Sequence, residues 1–215
     1  SLSDNSISAY VNDIQKLTSF LILINKKNIK YSEVNSDLIN QFIEYIYSLG
    51  VSPYTQSRII SGTKSFFAYL ILEEKISKNP TELIESPKLN KKLPDTLNID
   101  DIERMFLSID MSTSEGTRNR AMLETLYSCG LRVSELINLS FQNLFLDIGF
   151  IKVIGKGSKE RLVPIGSQAI KFINLYNENY RKGMNVKKGN EGYLFLNRRG
   201  SKLSRIMIFI IVKNI

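Results

Sequence analysis

The sequence contains no histidine and a single cysteine, Cys129, among its 215 residues. Without histidine, Ser-His-Asp and Cys-His catalysis and the usual zinc sites are excluded for these residues. One cysteine supports neither a disulfide framework nor a thiolate metal cluster. No run approaches the about 20 apolar residues of a membrane span, and the first residues do not resemble a signal peptide. We therefore expect a cytoplasmic protein with no metal and no membrane partner.

Charge of one sign is in excess. Lysine and arginine number 29 against 21 acidic residues, which gives a net charge of +8. The hydrophobic fraction of 43% is ordinary for a globular protein, so the chain can bury a core. A basic excess favours a polyanionic partner, most often nucleic acid. A charge that serves only solubility stays open as the alternative.

The first third of the chain has helical periodicity. Apolar residues spaced by three and four predict helices at about 5–25, 36–49 and 53–74. Asn35 or Ser36 is the expected N-cap of the second helix, and Ser52-Pro53 the start of the third. The sequence therefore predicts an all-α domain over residues 1–76.

One side of the third predicted helix is small and polar. It carries Thr55, Arg58, Gly62 and Ser65. Small residues let a helix approach a phosphate backbone, and hydroxyls and an arginine can bind to it. We expect DNA contacts from Thr55, Arg58 and Ser65, although a plain solvated face would show the same pattern.

Residues 77–97 are predicted to form a linker. Pro80, Pro87 and Pro94 are three of the five prolines, and lysines lie between them. Such a segment without periodicity is typical of an extended tether. A basic linker would suit a protein that wraps a duplex, and a simple connection is the alternative.

Residues 98–215 mix the two periodicities, which predicts an α+β domain. Asn98 is expected to cap a first helix, Gly130 to end a second and Ser204 to cap the last. The residues after Ser204 are almost continuously apolar, so we expect that helix to be buried on nearly every side. Since nothing after Ile215 can cover it, either another subunit covers this helix or the domain is incomplete at its C-terminal end, and we favour the second explanation. The other predicted elements are helices at 133–139 and 167–182, a β-hairpin of 150–154 with 161–164, and a strand at 193–196.

Two segments could bind phosphate. One places Arg132 between the glycine that ends a helix and the start of the next, and a guanidinium suits phosphate oxygens. The other is the glycine-rich basic turn of the hairpin, at 155–160. Gly-Lys-Gly-Ser lacks the spacing of a P-loop and lies in a hairpin, so that interpretation fails. A salt bridge from Arg132 to Glu135 and a solvated turn are the plainer alternatives.

These segments resemble a known family. The run Gly-Leu-Arg-Val-Ser-Glu-Leu at 130–136 is similar to the first catalytic box of the tyrosine recombinases. The run Val-Ile-Gly-Lys-Gly-Ser-Lys-Glu-Arg-Leu-Val-Pro-Ile at 153–165 resembles the family's hairpin, especially in its XerC/XerD branch. Residues 2–10 and the linker prolines match as well, so the similarity runs along the whole chain.

The resemblance implies a SAM-like helical core-binding domain and an α+β catalytic domain that close as a clamp on DNA. A tyrosine attacks the scissile phosphate and forms a 3′-phosphotyrosyl link, with no cofactor. Carried over by motif, Arg132 would stabilise charge at phosphorus and Lys156 would act as general acid. Glu135 would support Arg132. We expect further DNA contacts from Lys159, Arg161, Arg198, Arg199 and Arg205.

The resemblance also implies partners and gaps. It implies a specific double-stranded DNA site, a homo- or hetero-tetrameric synapse and a septal DNA translocase as activator. The family's His-x-x-Arg box and its nucleophilic tyrosine have no match here, and a first helix precedes the matched start in such proteins. We therefore expect a chain trimmed at both ends and inactive alone. Chromosome dimer resolution is the favoured role; a phage or transposon integrase and a non-catalytic DNA-binding fragment are the alternatives.

Overall fold

The computed structural model describes residues 4–89 and 93–215, and of Asp4, Asn5 and Lys156 the backbone alone. The chain forms two compact units, Ser1–Pro94, the helical unit, and Asp95–Ile215, the mixed unit. The domain limits predicted above stay a prediction. Across the described ranges, no helix combines the length and apolar character needed to cross a membrane.

The described part of the helical unit contains three α-helices, and the second and third begin where their capping residues dictate. Asn35 Oδ1 accepts a hydrogen bond from the Leu38 amide at 3.0 Å, and Ser52 Oγ accepts one from the Thr55 amide at 3.3 Å. These bonds satisfy amides that the first helical turn leaves without partners, which confirms both predicted starts. The helices are α1 (Asp4–Leu23), α2 (Ser36–Ser48) and α3 (Pro53–Leu72).

The core of this unit is aliphatic and aromatic. Each large side chain removed from water contributes about 1.5–3 kcal/mol, so this cluster is the main source of the unit's stability. Its fully buried members come from all three helices: Leu17, Ile39, Phe42, Ile46, Ile59 and Phe67.

Part of the predicted linker lies on this core. Ile84 packs against it, as does Ile76 directly before the linker. Thr81 is buried, and its amide and hydroxyl both donate to Asn79 Oδ1, at 3.0 and 2.7 Å. Lys64 Nζ donates to the Ile84 carbonyl at 2.9 Å. The segment 79–84 is therefore fixed to the helical unit.

The mixed unit contains five α-helices in its described part. Asn98 caps the first of them reciprocally with Asp101, as its sequence predicts. The second begins at Ser114, because Thr113 caps it. It ends at Gly130, whose φ of 56° is left-handed. The helices are α4 (Ile99–Leu107), α5 (Ser114–Cys129), α6 (Val133–Ile137), α7 (Ser167–Tyr176) and α8 (Arg205–Lys213).

A three-stranded antiparallel sheet completes this unit, in the order β1 (Leu144–Phe145), β2 (Phe150–Ile154) and β3 (Glu160–Pro164). The predicted hairpin of β2 and β3 is confirmed, with Ile151 opposite Val163 and Val153 opposite Arg161. The two-residue strand β1 was not predicted, because two residues cannot show an alternating pattern.

The prediction of a strand at 193–196 is wrong. Leu194, Phe195 and Leu196 are fully buried, but they join no sheet and make only isolated bridges. Arginine side chains bind the backbone instead: Arg118 donates to the Leu196 carbonyl at 3.1 Å and Arg181 to that of Tyr193 at 3.0 Å. A buried apolar run needs partners for its backbone. Here arginine side chains supply some of them, and the Leu194 amide donates to the Leu139 carbonyl at 2.9 Å.

The last helix is covered on one side only within the described residues. In α8 only Ile208 is buried, while Ile206 and Phe209 are 72% and 66% exposed. Met207 and Ile211 pack beside Ile208 on the core, so one stripe of the helix faces inward.

At the end of α5, burial raises the pKa of the Cys129 thiol.

Candidate active site and nucleic-acid interface

Arg132 is presented to solvent by the junction of two helices. Gly130 ends α5 in a left-handed conformation, and Arg132 is the N-cap residue of α6. Glu135, three residues further on, accepts two hydrogen bonds from Arg132. The Arg132 amide donates to Oε2 at 2.9 Å, and Arg132 Nη1 donates to Oε1 at 3.0 Å. The Arg132 side chain is 74% exposed, whereas that of Glu135 is 3% exposed. A buried carboxylate therefore holds an accessible guanidinium.

Glu135 also binds the hairpin. Arg161 on β3 donates from Nη1 to Oε1 at 2.8 Å and from Nη2 to Oε2 at 2.9 Å. The Arg161 hydrogen bond is the largest cause that lowers the pKa of Glu135, to about 2, against the effect of burial. The same bond raises the pKa of Arg161. Glu135 is therefore ionised at neutral pH and shared by two guanidinium groups.

The hairpin turn adjoins this cluster. The Gly155 amide donates to the Lys159 carbonyl at 2.8 Å and closes the turn. Gly157 and Ser158 have φ of 73° and 57°, and glycine favours that left-handed region. The turn places the backbone of Lys156 directly after Gly155. The side chain of Lys156, the predicted general acid, lies outside the described residues.

This cluster has the properties of a phosphate site. The bond to Glu135 engages Nη1 of Arg132, and its other guanidinium nitrogens lie on an exposed side chain. Such donors pair with two oxygens of one phosphate. Because Glu135 accepts from the Arg132 backbone as well as its side chain, the guanidinium is oriented before any ligand binds.

The other predicted DNA contacts of the mixed unit are exposed. Lys159 lies in the hairpin turn, Arg198 and Arg199 in the turn at 197–200, and Arg205 at the first position of α8. Asn197 Oδ1 accepts the Arg199 amide at 2.9 Å, which shapes the second turn. Their role in binding DNA stays a prediction.

Lys202 was missed at the sequence level. Its Nζ bonds to Asn138 Oδ1 and lies 4.6 Å from the centre of the Tyr193 ring. Asn138 is the C-cap of α6, the helix that begins at Arg132. Lys202 thereby connects the second basic turn to that helix. Its place in the basic run 198–202 was the available signal.

Part of the basic excess is structural. Arg118 and Arg181 are buried, and burial lowers the pKa of both. Arg120 lies between the rings of Phe106 and Phe172, 4.5 Å from each centre, and pairs with Glu124 at 2.8 Å. These three arginines therefore serve the fold and are not among the candidate phosphate contacts.

In the helical unit, Arg58 is held by a buried carboxylate. Its Nη1 lies 2.6 and 2.7 Å from the two oxygens of Asp13, which is 3% exposed while Arg58 is 48% exposed. Gly62 was expected on the exposed polar side but is buried: a Cβ there would lie 2.6 Å from Asp13 Oδ2. Its small size serves the contact between α1 and α3.

The two hydroxyls predicted beside Arg58 bond locally. Thr55 Oγ1 lies 3.0 Å from Ser52 Oγ, within the cap of α3. Ser65 is exposed, and its hydroxyl donates to the Ser61 carbonyl at 2.9 Å. Both remain candidates for phosphate contact, because a hydroxyl can exchange partners.

Family models match both units. The phage integrase family matches residues 95–215, and its N-terminal SAM-like domain matches residues 1–74. Tyrosine recombinase XerD of Staphylococcus aureus (strain N315) is 39% identical over 212 residues, which cover 99% of this chain and 71% of that protein. XerD of Staphylococcus saprophyticus is 39% identical over the same shares.

Solved structures show the same fold. XerH recombinase bound to its difH substrate aligns with a TM-score of 0.72 at 23% identity, over 97% of this chain and 62% of XerH. A lambda integrase dimer bound to a core site aligns with a TM-score of 0.74 at 15% identity, over 100% of this chain and 74% of that one. The predicted family and two-domain fold are confirmed: the chain belongs to the phage integrase family of tyrosine-type site-specific recombinases.

Proposed function

We propose that the natural protein carrying this chain recombines double-stranded DNA at a specific site through a 3′-phosphotyrosyl intermediate. The observation that carries this proposal is the exposed Arg132 guanidinium, oriented by buried Glu135 next to the glycine-rich hairpin turn. Phosphoryl transfer needs preorganised donors at phosphorus and a proton for the leaving oxygen. Arg132 meets the first requirement, and Lys156 is assigned the second.

A tyrosine hydroxyl oxygen attacks phosphorus and loses its proton to solvent or a base. The bond from phosphorus to the 5′-oxygen breaks, and the Lys156 ammonium gives that oxygen a proton. Arg132 donates hydrogen bonds to the non-bridging oxygens as their charge grows. A 5′-hydroxyl of the partner duplex then attacks the phosphotyrosyl phosphorus in the reverse sense, and the tyrosine oxygen leaves and regains its proton. We assign no tyrosine of this sequence as the nucleophile.

The proposed partner is duplex DNA, with recombinase subunits assembled on it. XerH and lambda integrase are described as bound to DNA, and lambda integrase as a dimer and a tetramer, which supports this part. Contacts are assigned to Thr55, Arg58, Ser65, Lys159, Arg198, Arg199 and Arg205, and to Lys202. The similarity to XerD supports chromosome dimer resolution in the cytoplasm, during cell division, over mobile-element integration. A septal DNA translocase partner stays a prediction from the resemblance.

A nicked suicide substrate tests the proposal. The natural protein should form a covalent protein–DNA adduct, and Arg132→Ala should lower the adduct rate by about 1,000-fold while site binding persists. Arg104→Ala is a matched control, because Arg104 is equally exposed and pairs with Asp101 at the same spacing. It should leave the rate unchanged. If Arg132→Ala reacted normally, the assigned role of Arg132 would be wrong.

A further inference from the structure

Arg161 lies on the inward face of the hairpin. It stands opposite Val153 in the register of β2 and β3, and Val153 is buried. Residues directly opposite in an antiparallel pair point to the same side of the sheet. The neighbours of Arg161 along the strand, Glu160 and Leu162, point the other way. The Arg161 side chain, although 41% exposed, therefore lies on the same face of the sheet as buried Val153.

On that face Arg161 meets Glu135 with both terminal nitrogens. The two bonds, of 2.8 and 2.9 Å, form the bidentate geometry that suits a carboxylate. Gly155 passes over this pair: a Cβ there would lie 3.4 Å from Arg161 Nη1 and 3.5 Å from Glu135 Oε1. The ion pair thus packs against the first residue of the turn that carries Lys156.

We infer that Arg161 is a positioning residue, which acts through Glu135 to hold the Lys156 turn in register with Arg132, and does not act by binding the DNA backbone. The inference rests on the proposed function. Glu135 binds the Arg132 amide and guanidinium at the start of α6, and Arg161 binds Glu135 from β3. One carboxylate therefore connects the two segments whose side chains must reach the same phosphate.

This connection has two effects on the reaction. It limits the movement of the turn, and misplacement of a reacting group by about 1 Å can cost about 100-fold in rate. It also balances charge. Glu135 faces both guanidinium groups, so with Arg161 in place more of the positive charge of Arg132 is left for the phosphate.

Arg161→Gln in the natural protein tests the inference. At saturating DNA we expect single-turnover cleavage to slow by about 10- to 100-fold, while the Kd for the site changes less than about threefold. Lys152→Gln is the matched control, since Lys152 is a cation of the same hairpin that pairs with an exposed carboxylate, Glu160, at 3.4 Å. It should leave both the Kd for the site and cleavage at saturation unchanged.

A double-mutant cycle shows whether Arg161 acts through Glu135. If it does, Arg161→Gln combined with Glu135→Gln should cleave no more than about twofold slower than Glu135→Gln alone. Arg161→Lys keeps the positive charge but loses the bidentate guanidinium. We expect it to bind DNA normally and to cleave faster than Arg161→Gln but slower than wild type. It also replaces Arg161→Gln in the test if that variant fails to fold.

The outcomes are distinct. Weaker binding with full cleavage at saturation for Arg161→Gln, or multiplying effects in the cycle, would overturn the inference and leave the proposed function standing. A wild-type protein that forms no covalent adduct would overturn the proposed function and this inference with it.

Discussion

Both units hold an exposed arginine with a buried carboxylate, but they do so differently. Asp13 receives Arg58 through Nη1 alone, and Gly62 leaves it room where α1 and α3 meet. Glu135 accepts four hydrogen bonds, from the amide and guanidinium of Arg132 and from both terminal nitrogens of Arg161. In the helical unit the carboxylate is fitted between two helices. In the mixed unit it connects a helix start to a hairpin.

The pair in the helical unit is therefore expected to be sensitive to packing between helices, and the cluster in the mixed unit to the charge of its carboxylate. Adding a methyl group beside Asp13 should disturb the contact between α1 and α3. Removing the charge of Glu135 should instead deprive Arg132 and Arg161 of their shared partner. Three changes to these pairs test that distinction.

Glu135→Gln should have the largest effect, a loss of about 2–3 kcal/mol in the free energy of unfolding at neutral pH. The folded-state pKa of Glu135 is lowered from 4.5 to about 2. Its contribution is therefore complete above pH 4.5 and fades as pH falls towards 2. Unfolding of wild type and variant between pH 7 and 2.5 should show the two converging in acid.

Glu160→Gln is the control for that experiment. Glu160 is an exposed hairpin carboxylate, 3.4 Å from Lys152 Nζ, and its removal should cost under about 0.5 kcal/mol. A Glu135→Gln deficit that did not change with pH would mean that the charge of Glu135 is not what stabilises the fold.

Gly62→Ala should destabilise the helical unit by about 1–3 kcal/mol, because the added Cβ meets Asp13 Oδ2. In an exposed helix the same change stabilises by about 0.5–1 kcal/mol, so the sign is diagnostic. Combined with Asp13→Ala the penalty should vanish. Chemical denaturation measures the free energy of unfolding of the single and the double variant. Ser65→Ala, one turn further along α3, is the neutral control. A penalty that persisted without Asp13 would refute the fit.

Arg58→Gln should have the smallest effect of the three on DNA binding and catalysis, a change in the salt dependence of DNA binding. One lost phosphate contact lowers the slope of log Kd against log salt by about 1. Anisotropy titrations of a labelled duplex with the 215-residue chain measure the slope. Lys27→Gln, an exposed cation after α1, should leave it unchanged. Equal slopes for Arg58→Gln and wild type would remove Arg58 from the interface.

Local signals made much of the fold predictable. Asn35, Ser52, Asn98 and Ser204 cap helices where their positions indicate, because a cap bonds to amides only a few residues away. The hairpin followed from alternation of β2 and β3. The pairing of Arg132 with Glu135 was predictable for the same reason, since three residues separate them.

Long-range partners were not predictable. The segment 193–196 has the composition of a strand, and its bonds to Arg118 and Arg181 depend on residues distant in sequence. Gly62 reads as a surface residue until α1 brings Asp13 against it. In the sequence, Arg161 is indistinguishable from the other cations of a basic hairpin. Only the register of β2 and β3 shows that it lies on the same face as Val153.

Cys129 has a practical consequence. The sole thiol of the sequence is buried in the last turn of α5, three residues before Arg132. A buried thiol with a raised pKa reacts with alkylating reagents only when the surrounding structure opens. Its alkylation rate therefore measures how often the helix end that presents Arg132 opens, and no label has to be introduced.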